Sequence, residues 1–248
     1  MCIRDSYSIE QPRVLQYEKS MYPKFDKTVL ISEQDVNYLE SNGADISNVE
    51  VVANGIDVTN FGNHTVEQRQ LDPYVIVFVG NMESLQNFDA VLHFAGDILP
   101  LVRKKRNVIF RVVGKIPYSK EMQLKKINHV EVTGIVTSIS DACHGAAAAV
   151  CPMRIGAGIQ NKNLEYMAMG LPCVTTTMGH EGIPATPGKD LLIADTSQAF
   201  ADQILTLIDD PAAAEKIGRS GKKFVTANMT WNAALQNYFV MIGDLLKK

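Results

Sequence analysis

Residues 150–177 read VCPMRIGAGIQNKNLEYMAMGLPCVTTT, and this stretch decides how the rest of the chain is read. A strand pattern ends at Cys151-Pro152, and the loop Met153-Arg154-Ile155-Gly156-Ala157-Gly158-Ile159 follows. A helix then opens near Gln160 or Asn161, and Gly170 and Pro172 stop it before a second strand at Cys173 to Thr176. Leu164, Met167 and Ala168 form the apolar stripe that would hold the helix on a sheet. Gly156 and Gly158 let backbone N–H groups approach an anion closely. The helix start adds unpaired N–H groups and the positive end of a dipole. Arg154 can pair bidentately with phosphate oxygens, and Lys162 adds a mobile positive charge in the first helical turn. Three residues further on, Glu165 can accept from two adjacent hydroxyls, as a ribose presents them. The constellation suits a nucleoside diphosphate. Taken singly its parts are weaker: the glycines can serve the turn alone, and Lys162 with Glu165 can be a surface ion pair contributing about 0.3 kcal/mol.

Outward from this segment, short apolar runs alternate with helical patterns. Towards the N-terminus the reading gives strands at Thr28–Ile31, Val49–Ala53, Tyr74–Val79, Asn107–Val113, Val130–Val132 and Ala147–Cys151. Helices are expected at Glu33–Glu40, capped by Ser32 and stopped at Asn42-Gly43, then at Gln86–Lys105, Tyr118–Ile127 and Ser138–Gly145. Beyond it come a short strand at Leu191–Ile193 and helices at Ser197–Ile208, Ala212–Thr226 and Asn232–Leu246. Alternating strands and helices imply an α/β fold, a Rossmann-like parallel sheet with helices on both faces. Such sheets bind ligands beyond the carboxyl ends of their strands, where the phosphate-type loop stands.

Composition narrows the function classes. Of 248 residues, 46% are hydrophobic and 21% charged, with a net charge of −3, which suits a globular domain with a sizeable core. No basic block suggests nucleic acid, and no apolar run reaches the ~18 residues of a membrane span. Met1 to Ser6 has no signal-peptide character and fits nothing that follows, so residues 1–6 are set aside as a non-native remnant. The four cysteines, Cys2, Cys143, Cys151 and Cys173, form no CxxC pair. A metal site is not expected, and a reducing, cytoplasmic setting follows. There is neither an HExxH pattern nor an Asp-x-Asp run.

The run PMRIGAGIQNKNLEYMAMGLPCVTTTMGHEGI resembles the donor-site signature of glycosyltransferase family 4, a retaining family of GT-B fold. It is most similar to members reading Pro-Leu-Arg-x-Gly-x-Gly before Lys-x-x-Glu. Val52-Ala53-Asn54-Gly55-Ile56-Asp57 resembles the interdomain turn of that family. Phe78-Val79-Gly80-Asn81-Met82, followed by Asn87-Phe88-Asp89-Ala90-Val91, resembles the first strand and helix of the donor domain. Val132 to Val136, Leu192 to Asp195 and Met229-Thr230-Trp231 match later landmarks, and the likeness covers about residues 25 to 245.

The resemblance implies a sugar transferase working from a nucleoside-diphosphate sugar, a substrate rather than a cofactor, with retention at the anomeric carbon. By the family pattern Glu165 would bind the ribose, while Gly156, Gly158 and Lys162 would hold the diphosphate. Ile135 would touch the base through its backbone, and Gly80 would line the donor site at the end of the first strand. Arg154 and Lys162 would stabilise the leaving group; no catalytic side chain is assigned. The acceptor, a saccharide or a lipid-linked acceptor, would be set by an N-terminal domain of which residues 7–56 are the remainder. Residues 57–73 read as linker, 74–228 as the donor domain, and 229–248 as a C-terminal helix that can cross to the N-terminal domain. The expected location is cytoplasmic, with room for peripheral attachment at the inner membrane face.

The chain departs from the family in three ways. Ala157 stands where many members carry the first glutamate of Glu-x7-Glu. Asn81-Met82-Glu83-Ser84 replaces the Arg and Lys that often follow the first donor-domain strand, and Arg154 is the candidate substitute. The Val52–Asp57 turn also comes far too early for a full preceding domain of roughly 150 residues, so the chain alone is expected to be inactive. Two other readings compete. GxGxxN at Gly156, Gly158 and Asn161 falls one glycine short of a dinucleotide fingerprint, and the next strand ends in Thr175-Thr176-Thr177 without an acid. The other is a non-catalytic nucleotide-sugar-binding module. His180 and Glu181 are weighed as sugar contacts and read as loop residues, while His93 and His144 are read as packing or surface residues.

Overall fold

The computed structural model describes residues 3–61, 69–156 and 158–247. They fall into two compact units, one reaching to Gly55 and resuming at Trp231, the other spanning Ile56–Thr230. The smaller unit opens with α1 (Ile3–Met21), β1 (Thr28–Leu30), α2 (Glu33–Ser41) and β2 (Val49–Val51). β1 and β2 pair in parallel, Thr28 opposite Val49. The Ser32 hydroxyl caps α2 by accepting from the Asp35 N–H at 3.2 Å, as its sequence signature requires. Helix α1 was not anticipated and starts inside the segment set aside; Pro12 within it and a weak apolar rhythm hid it.

The larger unit is a six-stranded sheet of β3 (Tyr74–Val79), β4 (Val108–Val113), β5 (Val130–Gly134), β6 (Ala148–Cys151), β7 (Cys173–Thr175) and β8 (Leu192–Ile193). All its pairings are parallel, in the order β5-β4-β3-β6-β7-β8. The helices are α3 (Leu85–His93), α4 (Leu99–Arg103), α5 (Tyr118–Leu124), α6 (Ile139–Ala142), α7 (Asn161–Met169), α8 (Thr177–His180), α9 (Ser197–Asp209) and α10 (Pro211–Asn228). A last helix, α11 (Trp231–Leu245), belongs to the smaller unit.

Chain order places helices on both faces. The β3-to-β4 connection steps one way along the sheet and the β6-to-β7 connection the other, so right-handed crossovers put α3–α4 and α7 on opposite faces. Accordingly α4 packs with α9, and α7 packs with α10. β3 is buried from Val75 onward, and Ala147, Ala148 and Ala149 keep β6 thin enough for helices to approach. Phe94 stacks at 4.3 Å on Phe110 of β4 and meets Phe200 of α9 edge-on at 6.3 Å.

One boundary needs correction. The helix expected over 86–105 is interrupted by a π-helical turn at Phe94–Ile98. Pro100 has no N–H to give and its ring crowds the carbonyl four residues back, so the chain widens just before it and the Leu99 N–H reaches Phe94 O. Residues 62–68 of the expected linker lie outside the described residues. At the end of that stretch Arg69 is buried, donating to the carbonyls of Leu207 at 3.0 Å and Ala147 at 2.9 Å.

Candidate functional site

The sheet opens between β3 and β6. β3 pairs with β4 along six residues, Tyr74 through Val79, but with β6 only at Ile76–Ala148 and Val77–Ala149. The last N–H of β3, on Val79, has therefore left the ladder, and it donates instead to the hydroxyl of Tyr166 at 2.7 Å. Tyr166 is fully buried on α7, so this bond fixes the helix against the strand end. Asn163, also fully buried, donates to Gly179 O at 2.7 Å and to Thr175 Oγ1 at 3.2 Å, tying the other flank of α7 to β7 and α8. The helix is buried more widely than its apolar stripe suggested, because two polar side chains go inward with their partners supplied.

At this opening lies a cleft of about 520 Å³, lined by Val79, Gly80, Asn81, Val113, Gly114, Lys115, Ile135, Val136, Ile139, Asn161, Lys162 and Glu165. Three neighbouring strands close in glycine, β3 before Gly80, β4 before Gly114 and β5 with Gly134, and the first two of these glycines line the cleft. The Gly80 N–H donates to Val113 O and the Gly114 N–H to Gly134 O, each at 3.0 Å. Gly114 has φ +124°, and a Cβ on it would overlap the Gly80 carbonyl oxygen. The backbone alone therefore fits here, leaving the wall bare for a ligand.

Opposite stands the first part of α7. Gln160 caps it without a side-chain bond, and the first turn presents Asn161 and Lys162. Lys162 Nζ donates to Gln160 Oε1 at 2.9 Å and sits 5.4 Å from the Phe78 ring centre. Burial pushes the Glu165 carboxyl above its usual range, and the Lys162 charge pulls partly the other way. Ile135 is 78% exposed at the rim, a bare apolar surface beside the strand ends.

Of the residues singled out in the sequence, Gly80, Ile135, Lys162 and Glu165 thus share one cleft. Gly156 and Gly158 stand in the loop before α7 with φ of +142° and +76°. Ala157, the position of the absent first glutamate, lies outside the described residues. Arg154 does not line this cleft. Its Nη2 and Nε donate to the two oxygens of Asp89 on α3, at 2.7 and 3.1 Å, so the guanidinium fork is already engaged. The cation that sequence reasoning missed is Lys115, which lines the cleft and pairs with Glu83 at 2.8 Å. Its signal was available: it directly follows Gly114 at the end of the strand next to β3, as Asn81 follows Gly80. His180 is occupied, its Nε2 lying 2.9 Å from Ala185 O within a short helix capped by Thr176. Among the described residues no group of three or more His, Cys, Asp or Glu side chains is placed to hold a metal ion. No helix among them is long and apolar enough to cross a membrane.

Comparison with known proteins agrees with this geometry. An uncharacterized 44.6 kDa protein in the cps region of Klebsiella pneumoniae is 24% identical over 220 residues, covering 85% of this chain and 54% of that protein. Glycogen synthase of Mycobacterium tuberculosis is 25% identical over 201 residues, covering 76% of this chain and 47% of its own length. The chain thus spans about half the length of the curated relatives it matches. Among solved structures, Anabaena Alr3699/HepE in complex with UDP superposes with a TM-score of 0.77 at 15% identity, covering 93% of this chain and 67% of that one. Its likeness extends to the Rossmann-like, GT-B type of architecture. The sequence profile described as Glycosyl transferases group 1 matches residues 73–210, the stretch that holds the whole cleft, and the chain belongs to that family.

Proposed function

We propose that the cleft between β3 and α7 binds a nucleoside-diphosphate sugar, and that the chain is the donor-binding part of a glycosyltransferase acting with retention on a saccharide or lipid-linked acceptor. The observation that carries this reading is the meeting of Lys162 and Glu165 with the bare glycine ends of β3 and β4 in a single cleft at the switch point of the sheet. Glu165 is suited to accept from the two ribose hydroxyls. Ile135 offers a surface for the base. The backbone from Gly158 to Lys162 and the Lys162 ammonium suit the diphosphate. That HepE was solved with UDP makes a uridine nucleotide the first donor to try.

On this reading the acceptor hydroxyl attacks the anomeric carbon on the face from which the diphosphate departs. Negative charge grows on the departing phosphate, and the fixed donors at the start of α7 stabilise it without reorganising. Glu165 holds a part of the donor that does not react, so it contributes binding equally to ground and transition states. Three buried free thiols, Cys143, Cys151 and Cys173, suit a reducing, cytoplasmic setting. The test is a calorimetric titration of the chain with UDP, GDP and ADP, beside Glu165→Ala and Lys162→Ala. Selective binding of one nucleotide, weakened by both substitutions, supports the reading. A folded chain that binds none of the three contradicts it.

A further inference from the structure

The Arg154–Asp89 pair joins the loop after β6 to α3, the helix that follows β3, across the switch point. Asp89 lies on α3, whose start is fastened to the β3 loop by a bond from Asn87 Nδ2 to Asn81 O at 3.0 Å. Arg154 lies two residues before Gly156 on the β6 side. The two guanidinium bonds use both carboxylate oxygens, which fixes the relative orientation of the two groups as well as their distance. Gln86, also on α3, comes against the same loop: its Cγ lies 3.8 Å from where a Cβ on Gly156 would stand. Gly158 has open space on that side and φ +76°, so the loop has little packing of its own there. α7 itself is well anchored through Tyr166 and Asn163. In the loop that precedes it, Arg154 and Gly156 meet α3, at Asp89 and Gln86.

From this placement we infer that Asp89 is a positioning residue of the donor site, which acts through Arg154 to set the β6–α7 loop for the donor diphosphate. The inference rests on the nucleotide reading of the cleft and revises one part of it. Arg154 serves as the strut between α3 and the loop, and the phosphate is met by loop backbone and by Lys162. The competing arrangement has Arg154 merely parked on Asp89 until a phosphate draws it away. The two arrangements predict opposite signs for one substitution. If Arg154 is a strut, removing the Asp89 charge frees the loop and weakens diphosphate binding. If Arg154 is parked, the same change releases it and tightens binding.

The experiment measures the affinities of UDP and of uridine by NMR-detected titration, on the chain and on Asp89→Asn, Asp89→Glu and the exchanged pair Asp89→Arg with Arg154→Asp. Asp89→Asn is expected to lower UDP affinity about tenfold, the worth of one charge-assisted hydrogen bond, with uridine affinity unchanged. Asp89→Glu and the exchanged pair are expected to recover most of the loss. Tighter UDP binding by Asp89→Asn, no change, or an equal loss for uridine would each overturn the positioning role while leaving the donor site standing. If the unsubstituted chain binds none of UDP, GDP and ADP, the donor site itself falls and the inference with it.

Discussion

The two walls of the cleft are built from different materials. On the β3–β5 side the ends of β3 and β4 meet the cleft at Gly80 and Gly114, where the wall is backbone without side chains. On the α7 side the cleft meets Lys162 and Glu165, side chains on a helix fixed by the buried Tyr166 and Asn163. The first wall sets shape, and its atoms are also the atoms of the fold. The second wall sets charge, and its ends can be changed while the anchors beneath them stay. Stability and binding should therefore respond together on one side and separately on the other.

The largest effect is expected at Gly114. A Cβ there meets the Gly80 carbonyl at a φ that side chains rarely adopt. Gly114→Ala should cost about 3 kcal/mol, lower the melting temperature by roughly 10 °C, and abolish nucleotide binding in the same variant. A stable variant that still binds would break the claim that shape and fold are inseparable on this wall. Next comes Tyr166→Phe, which strips the Val79 N–H of its acceptor in a buried place. A loss of about 2 kcal/mol in a denaturant titration is expected. An unchanged midpoint would mean that α7 needs no pin at the strand end.

On the α7 wall, Glu165→Ala should weaken nucleotide binding about tenfold without lowering the melting temperature. The pH dependence sharpens this point. Burial raises the folded Glu165 pKa, so the folded form favours the proton. Its contribution to stability is full below the unfolded carboxylate pKa and is lost as pH rises through the raised value. Binding runs the other way, because ribose hydroxyls need the carboxylate. Affinity should fall as pH drops through the raised pKa, above the ordinary carboxylate range, and Glu165→Gln should flatten that profile. The smallest effect is expected at Lys115. Paired with exposed Glu83 at the cleft edge, it should cost about threefold in affinity when changed to Ala, and less at high salt.

The comparison also shows which parts were legible beforehand. The parallel sheet was readable because its strands are short apolar runs, four of them, β3 to β6, closed by Gly or Pro. The end of α7 was legible from its stop at Gly170 and Pro172. Lys162 and Glu165 were legible because they lie on one helix, where spacing fixes neighbourhood. Lys115 carried a signal, the strand-closing glycine before it, but its place in the cleft depends on β4 pairing with β3, a contact between residues far apart in sequence. The partner of Arg154 was hidden for the same reason: a guanidinium next to a glycine loop looks free until α3 brings Asp89 to it. The π-helical turn before Pro100 escaped because apolar periodicity carries across one extra residue almost unchanged.

The most direct measurement of the central claim is a crystal structure of the chain soaked with UDP, with GDP and ADP soaks beside it. The account predicts a nucleotide lying between Gly80 and α7, its ribose on Glu165, its diphosphate against residues 158–162, and the Arg154–Asp89 pair intact. A nucleotide bound elsewhere, or none from any soak that leaves the cleft open to solvent, would contradict it.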